Sequence, residues 1–415
     1  MKVEFEKSYN WTQLEDQWYA RWLKKDYFTG DENSSNESFS IVIPPPNITG
    51  KLTMGHVLNN TIQDVLIRKA RMEGKNTCWI PGIDHASIAT ETKVVKMLEE
   101  MGIEKEQLSR EEFLDHAWKW KEKYGGIIID QLKKLGCSCD WKRQKFTMDD
   151  DYSRSVIKAF VHLYNKGFIY KGHRLVNWCP SSQSAISDEE VIHKEISGKL
   201  WYFKYPIEKD KSFLVVATTR PETLLGDTAI AVNPEDERYA HLVGSYANIP
   251  IVNRKVPIIA DEHVDPKFGT GCVKVTPAHD PNDFEIGKRH DLEFINIMND
   301  DASLNENVPQ DFQGLSRERA RKEVIKRMNL ENLLEKTEDH INNIGFSERG
   351  NVPIEFYMSE QWYMKMNKLV KPALDAVNDG KIKFYPNHWV KTYNHWMENI
   401  NDWCISRQLS WGHQI

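Results

Sequence analysis

No apolar run in this 415-residue chain approaches the roughly 20 residues needed to span a bilayer, and the mean hydropathy is negative, at −0.60. A membrane partner is therefore not expected. The first ten residues, MKVEFEKSYN, carry charge where a secretory leader would be apolar, so the chain reads as cytoplasmic. Cysteine is scarce: there are six, at 78, 137, 139, 179, 272 and 404, none in a CxxC spacing. Such irregular intervals in a long chain fit reduced thiols better than a disulfide framework. Excess positive charge is also lacking. Fifty-five Lys and Arg stand against 61 Asp and Glu, a net charge of −6, which argues against a protein that coats nucleic acid indiscriminately but leaves room for RNA on a local basic surface. Internal repeats are missing, and the one low-complexity stretch is a polar loop, DENSSNES, at 31–38.

With 40% hydrophobic residues and 14 tryptophans, the chain has enough apolar material for two or three domains. From 39 to about 190 the pattern alternates. SFSIVI reads as a buried strand, Leu58, Ile62, Val65 and Leu66 mark a helix face, NTCWI is a second strand, and ATETKVVKMLEEMG is a helix that ends at a glycine. A βαβα order of this kind implies a parallel sheet. Helices continue to about 166, the first opened by Ser109 with Glu112 in a capping box. Near 195 the texture changes to short β-branched runs (GKLWYFKYPI, SFLVVATT, DTAIAV, IPIVNRKVPIIA, GTGCVKVT) with one strong helix, DPNDFEIGKRH. A charged helix follows at 316–336, and after 345 the chain turns Trp-rich and helical again. The middle section therefore reads as a domain inserted into another.

The stretch IVIPPPNITGKLTMGH, 41–56, joins the first strand to its helix. Pro44, Pro45 and Pro46 cannot donate to a ladder and so end the strand. Gly50 and Gly55 allow a close approach of backbone to ligand, and His56 falls in the first helical turn, where free N–H groups and the helix dipole favour an anion. An ordinary βα loop with a capping histidine accounts for the loop alone equally well.

Followed by CWIPGIDHASIAT, this stretch resembles the first signature of the class I aminoacyl-tRNA synthetases, in its valyl form. The resemblance extends from about residue 8 to 415. It implies an incomplete Rossmann-like α/β catalytic core with an inserted β-rich editing domain: residues 1–194 as the first half of the core, 195–345 as the insertion and 346–415 as the return. It also implies ATP, with Mg2+, as a substrate that activates L-valine for transfer to tRNA(Val), in a monomer. By resemblance His56 and Thr53 organise the ATP phosphates; Thr53 stands where the family usually has a histidine and carries no cationic form. Asp84 would hold the valine ammonium, although it also suits a turn. Pro45, Asn47, Trp362 and Trp403 match the family's amino-acid pocket.

In this enzyme class a valine-sized apolar pocket rejects threonine only about a hundredfold, so a second, hydrolytic site is required. ATTRPETLLGDTAIAVNPEDERY and GTGCVKVTPAHDPNDFEIGKRH resemble the editing domain. Capping explains part of these strings, since Thr219 with Glu222 forms a capping-box pattern and Asp280 opens a helix. It does not explain Lys274 and Thr276 on one face of a strand. By resemblance Arg220, Thr223, Lys274, Thr276 and Asp280 recognise the threonyl hydroxyl and terminal adenosine, while Asp283 pairs with the substrate ammonium. Hydrolysis would use a positioned water. Some family members bind zinc on paired CxxC knuckles; here NWCPSSQ has one cysteine and GFSERGN none, so no zinc or other structural metal is expected.

The chain stops at SWGHQI, before the family's Lys-Met-Ser-Lys-Ser loop and anticodon-binding domain. Valine activation with editing is the expected function of the whole. A deacylase that keeps only editing, or a non-catalytic tRNA-binding fragment, is the alternative for these 415 residues.

Overall fold

The structure, a computed structural model, describes residues 11–209, 212–348 and 350–415, and the chain divides into two compact units. One runs to His162 and takes in Leu409–Ile415; the other is Leu163–Gln408.

The first unit holds α1 (Trp11–Lys24), β1 (Ser38–Ser40), α2 (Met54–Met72), β2 (Asn76–Cys78), β3 (Gly82–Ile83), α3 (Ser87–Glu100), α4 (Arg110–Lys134), β4 (Lys145–Phe146) and most of α5 (Asp150–Asn165). β1 pairs parallel with β2, Ser38 opposite Asn76, and β3 pairs parallel with β4, Gly82 opposite Lys145. Alternating strands and helices thus give the parallel arrangement that the order implies. Ser109 opens α4 as a reciprocal cap: its backbone N–H donates to Glu112 Oε2 at 2.8 Å, and the Glu112 N–H donates to Ser109 Oγ at 3.3 Å. The core gathers Ile48, Ile67, Trp79, Leu98, Phe113, Ile128, Leu132 and Trp411. Two expectations fail. SFSIVI forms a strand only over Ser38–Ser40, and Val42 is 93% exposed. The expected inner face of α2 is exposed at Leu58, Ile62, Val65 and Leu66, and its buried residues are Asn60, Ile67 and Ala70. The cause is local: a strand pair of three residues each covers only a narrow strip of a 19-residue helix.

The second unit contains β5 (Ile169–Cys179), β6 (Ser184–Ile186), β7 (Val191–Pro206), β8 (Phe213–Thr218), β9 (Ala229–Val232), β10 (Tyr246–Ile249), β11 (Arg254–Ala260), β12 (Cys272–Val275), α6 (Pro281–Arg289), α7 (Arg317–Leu330), β13 (Leu334–Ser347), β14 (Glu355–Met364), α8 (Asn367–Asn378), α9 (Trp389–Glu398) and β15 (Trp403–Cys404). Its sheets have the orders β13-β7-β8, β10-β11-β9-β12 and β15-β14-β5-β6. Each β-branched run read from the sequence carries a strand. Phe203, Tyr205, Val216, Leu224, Ile230, Ile258, Phe312 and Val324 form the main core between the first two of these sheets and α7.

The unit boundaries fall at 162/163 and 408/409. The pairing explains this. β7 and β13 run antiparallel from Val191–Ser347 to Phe203–Leu334, so the ends of the inserted segment leave side by side. They continue into β5 and β14, themselves paired from Trp178–Glu355 to Ile169–Met364, and the flanking strands therefore stay with the insertion. The stretch after 345 is a strand before it is helical: EFYMSEQWYM pairs with β5 along its whole length and buries Glu355, Gln361 and Tyr363.

Candidate functional site

In the first unit the helix start at 53–56 has a defined polarity. The Thr53 backbone N–H faces His56 Nδ1 at 3.1 Å, and Thr53 Oγ1 lies 2.8 Å from the same nitrogen. A backbone N–H can only donate, so Nδ1 is the unprotonated nitrogen and the proton sits on Nε2, leaving that N–H as the ring's donor. Nearby, Asp84 and Asn47 form an isolated parallel bridge: the Asp84 N–H donates to Pro46 O at 2.9 Å and the Ile48 N–H to Asp84 O at 3.1 Å. A Cβ on Gly82 would lie 3.7 Å from that of Pro45. Pro45, Asn47 and Asp84 therefore stand together beyond the parallel strands, the usual ligand position in an open α/β sheet. Asp84 also does turn work, accepting from the Ala86 N–H and the Thr147 hydroxyl, both at 3.2 Å.

Trp362 and Trp403 belong to the second unit. Met364 is opposite Trp403 across β14 and β15, and Trp362 lies two residues before Met364, so the two indoles share one face of that pair. Trp362 is half-buried with its ring edge-on to Tyr164 at 6.0 Å, and Trp403 is exposed.

A cavity of about 1080 Å³ in the second unit is lined by all six editing candidates, Arg220, Thr223, Lys274, Thr276, Asp280 and Asp283. The fold brings them from two places. β8 delivers the chain to Arg220 and the 3-10 turn Pro221–Gly226. β12 pairs antiparallel with β9 and leads through Thr276 and His279 into α6. Asp280 caps that helix, accepting from the N–H groups of Asn282 at 2.8 Å and Asp283 at 3.1 Å. Thr219 does not cap the 3-10 turn: its N-cap residue is Arg220, without a side-chain bond. Glu222 is instead buried and accepts from Arg321 Nε and Nη2, each at 2.7 Å.

Behind the cavity lies a residue that was not singled out. Asp227, fully buried, receives Lys274 Nζ at 3.0 Å and the Thr276 hydroxyl at 2.6 Å on one oxygen, and the Tyr205 hydroxyl at 2.7 Å on the other. Burial pushes the Asp227 carboxyl up, and Lys274 opposes that shift. Asp283 accepts the Thr276 N–H at 2.8 Å; burial first, then the neighbouring Asp280, push its carboxyl up to about 7. Thr223 spends its hydroxyl on Arg220 O at 2.9 Å. Arg220 Nη1 donates to His279 O at 2.9 Å, and Nη2 is ion-paired with Glu355. His279 Nε2 accepts the Ile297 N–H at 3.0 Å, and burial, then Arg220 and Lys274, hold the ring neutral by pushing it down to about 3. Glu355, Arg317 and Arg321 also line the cavity and were not foreseen. Asp227 lies inside a quoted motif, whereas Glu355 lies outside the inserted segment and carried no local signal.

The two strings compared with zinc knuckles meet in space. Gly350 sits against Cys179, Ser181 and Ser347. Burial raises the Cys179 thiol, and the hydroxyls of Ser181, Ser182 and Ser347 outweigh that and bring it below its ordinary value. One thiol among hydroxyls is not a zinc donor set, and among the described residues no group of three or more His, Cys, Asp or Glu is placed to hold a metal.

A family model described as tRNA synthetases class I (I, L, M and V) matches residues 17–415. The chain is 56% identical over 407 residues to a valine–tRNA ligase of Christiangramia forsetii, covering 98% of this chain and 46% of that protein. It is 54% identical over 413 residues to one of Bacteroides fragilis, covering 100% and 47%, and 51% identical over 413 residues to one of Clostridium tetani, also covering 100% and 47%. The chain thus spans under half the length of these relatives. A solved Agrobacterium radiobacter LeuRS–tRNA–LeuAMS complex is similar at 19% identity and a TM-score of 0.41, over 84% of this chain and 49% of that one.

Proposed function

Because the chain belongs to the class I tRNA synthetases, we propose that it forms part of a valine–tRNA ligase and that its cavity hydrolyses threonine wrongly attached to tRNA(Val). The observation that carries the hydrolytic reading is the cavity itself, where the six editing candidates, two aspartates and a buried lysine among them, converge on one volume.

In that reading the substrate ammonium enters beside Asp283. A carboxyl held near 7 by burial ionises once a cation arrives, because the new charge offsets the lost solvation. Lys274, fixed by Asp227 and Thr276, keeps one N–H for the amino-acid hydroxyl or the ribose, while Thr276, whose hydroxyl proton goes to Asp227, offers only an oxygen lone pair. A water then attacks the ester carbonyl, the C–O bond to the ribose breaks, and the ribose oxygen takes up a proton, releasing threonine and tRNA. His279, neutral at physiological pH, does not repel the ammonium.

For activation, the valine carboxylate attacks the α-phosphate of ATP and pyrophosphate leaves; the terminal ribose hydroxyl of the tRNA then attacks the carbonyl of the valyl-adenylate and AMP leaves, with Mg2+ as the counter-ion that would accompany the ATP phosphates. Such chemistry rests on positioning and charge stabilisation. His56 Nε2–H is a donor suited to a phosphate oxygen, and Asp84 is a counter-charge for the valine ammonium. Cytoplasmic location and a monomeric state belong to the same proposal.

The test is deacylation of threonyl-tRNA(Val) and valyl-tRNA(Val) by the 415-residue chain, alongside valine-dependent pyrophosphate exchange. Preferential release of threonine supports the cavity assignment. Binding of tRNA without hydrolysis of either ester would leave a non-catalytic RNA-binding role instead.

A further inference from the structure

The guanidinium of Arg220 is held from outside the inserted segment. Glu355 opens β14, opposite Trp178 of β5, in the sheet that flanks the insertion. Its carboxylate is only 3% exposed and is divided between two arginines: Oε2 is ion-paired with Arg220 Nη2, and Oε1 accepts from Arg317 Nη1 at 2.5 Å. Arg317 Nη1 also donates to Pro353 O at 3.1 Å, which ties it to the segment just before that strand.

The other carboxylate in reach is already committed. Glu222 gives both oxygens to Arg321 at 2.7 Å and stands 3.5 Å from Arg220 Nε. Three guanidinium groups, of Arg220, Arg317 and Arg321, thus share two buried carboxylates. Without the charge of Glu355, Arg220 and Arg317 would face each other across a low-dielectric site with no anion between them, and repulsion would drive Arg220 from its place. Arg220 is not an isolated wall residue. It donates to His279 O, one residue before the Asp280 that caps α6, whose first turn holds Asp283, and its own carbonyl receives Thr223.

We propose that Glu355, contributed by the strand that returns from the insertion, is the positioning residue for Arg220 in the hydrolytic cavity. The inference rests on the editing reading of that cavity and extends it: the site is completed by a residue that the inserted segment does not contain. A buried ion pair is weak evidence for stability alone, so the role is read in activity and in the state of the Arg220 side chain.

The experiment uses the 415-residue chain with Glu355→Gln, Glu355→Asp, Arg220→Ala and the Glu355→Gln/Arg220→Ala double variant, and measures threonyl-tRNA(Val) deacylation, thermal midpoint and the arginine Nε–H signals by NMR. Glu355→Gln is expected to lower kcat/KM by about tenfold or more, the scale of a lost charged hydrogen bond. Glu355→Asp should restore most of the loss. In the Arg220→Ala background Glu355→Gln should cost less than about twofold, because nothing remains to be positioned. An equal loss in both backgrounds, or undiminished hydrolysis by Glu355→Gln, would overturn the proposal. If the unmodified chain hydrolyses nothing, the editing reading falls, and the Nε–H signal that disappears in Arg220→Ala still decides the positioning: displaced in Glu355→Gln it upholds the role of Glu355, unmoved it ends it.

Discussion

The two candidate sites are built in opposite ways. Around Thr53, His56 and Asp84 the side chains are exposed or half-buried, and at the helix start the bond that sets them is local, Thr53 to His56, three residues on; Asp84 is intermediate, bonded to Ala86 two residues on and to Thr147 63 positions away. In the cavity the charges are buried and their partners are remote. Lys274 meets Asp227 across 47 positions, Arg321 meets Glu222 across 99, and Arg220 meets Glu355 across 135. A site made from a helix start keeps its geometry from the backbone alone, and water can replace a lost partner. A site made from buried charge depends on the whole unit, so losing one partner strands another in a medium that cannot solvate it.

That contrast is tested most severely at Asp227. Asp227→Ala would leave Lys274 buried without its carboxylate and remove the acceptor of the Tyr205 and Thr276 hydroxyls. Breaking a buried pair in this way costs about 3–5 kcal/mol. Urea denaturation of the second unit should show a loss of that size, together with loss of threonyl-tRNA hydrolysis. A change under about 1 kcal/mol would mean that the buried network tolerates vacancy as readily as the exposed helix start.

Asp283 gives the next largest effect, on activity. In the proposed editing role, Asp283→Ala would remove the carboxylate that pairs with the substrate ammonium, an interaction worth about 1.5–3 kcal/mol, so hydrolysis should fall roughly ten- to hundredfold. Its titration gives the sign of a pH effect. The folded carboxyl is pushed up to about 7, by burial first and Asp280 second, whereas an unfolded aspartate titrates near about 4. Between those values the folded state keeps a proton that the unfolded state has released. Stability from this group therefore falls as pH rises from about 4 to about 7, by at most about 1.4 kcal/mol per unit, and levels off above. Asp283→Asn should flatten that slope. In the free chain kcat/KM for threonyl-tRNA should rise through the same region as the carboxylate appears, and a profile flat from pH 6 to 8 would remove Asp283 from ammonium recognition.

The same contrast explains what the sequence could reveal. The Ser109–Glu112 cap, the Asp280 helix start and the β-branched runs of the second unit are written within a few residues of one another, and all appear where the pattern puts them. The face of α2 was misread because its periodicity shows that Leu58, Ile62, Val65 and Leu66 share a side but not whether anything covers it. Thr219 three residues before Glu222 suggests a cap; the bidentate partner of Glu222 is Arg321 on α7, beyond any local pattern. Glu355 was invisible for the same reason. A lone glutamate ahead of an aromatic strand carries no sign of two arginines converging on it from the insertion.

The smallest effect is expected where the structure is most legible. His56→Ala removes the acceptor that faces the Thr53 N–H, yet Thr53 is exposed, and the free N–H groups of a helix start are readily satisfied by water. The loss of stability should therefore stay within the range of a helix cap, about 0.5–2 kcal/mol, and the cavity's hydrolysis of threonyl-tRNA should be unaffected. Thr53→His should likewise change stability little, because the position is solvent-accessible and the Nδ1 of His56 still has the backbone N–H to accept. Both are read by urea denaturation of the first unit and by deacylation at matched concentrations. A loss above about 3 kcal/mol for either variant would show that this helix start is held by more than its own first turn, and the distinction between a site set by local backbone and one set by buried charge would fail at its simpler end.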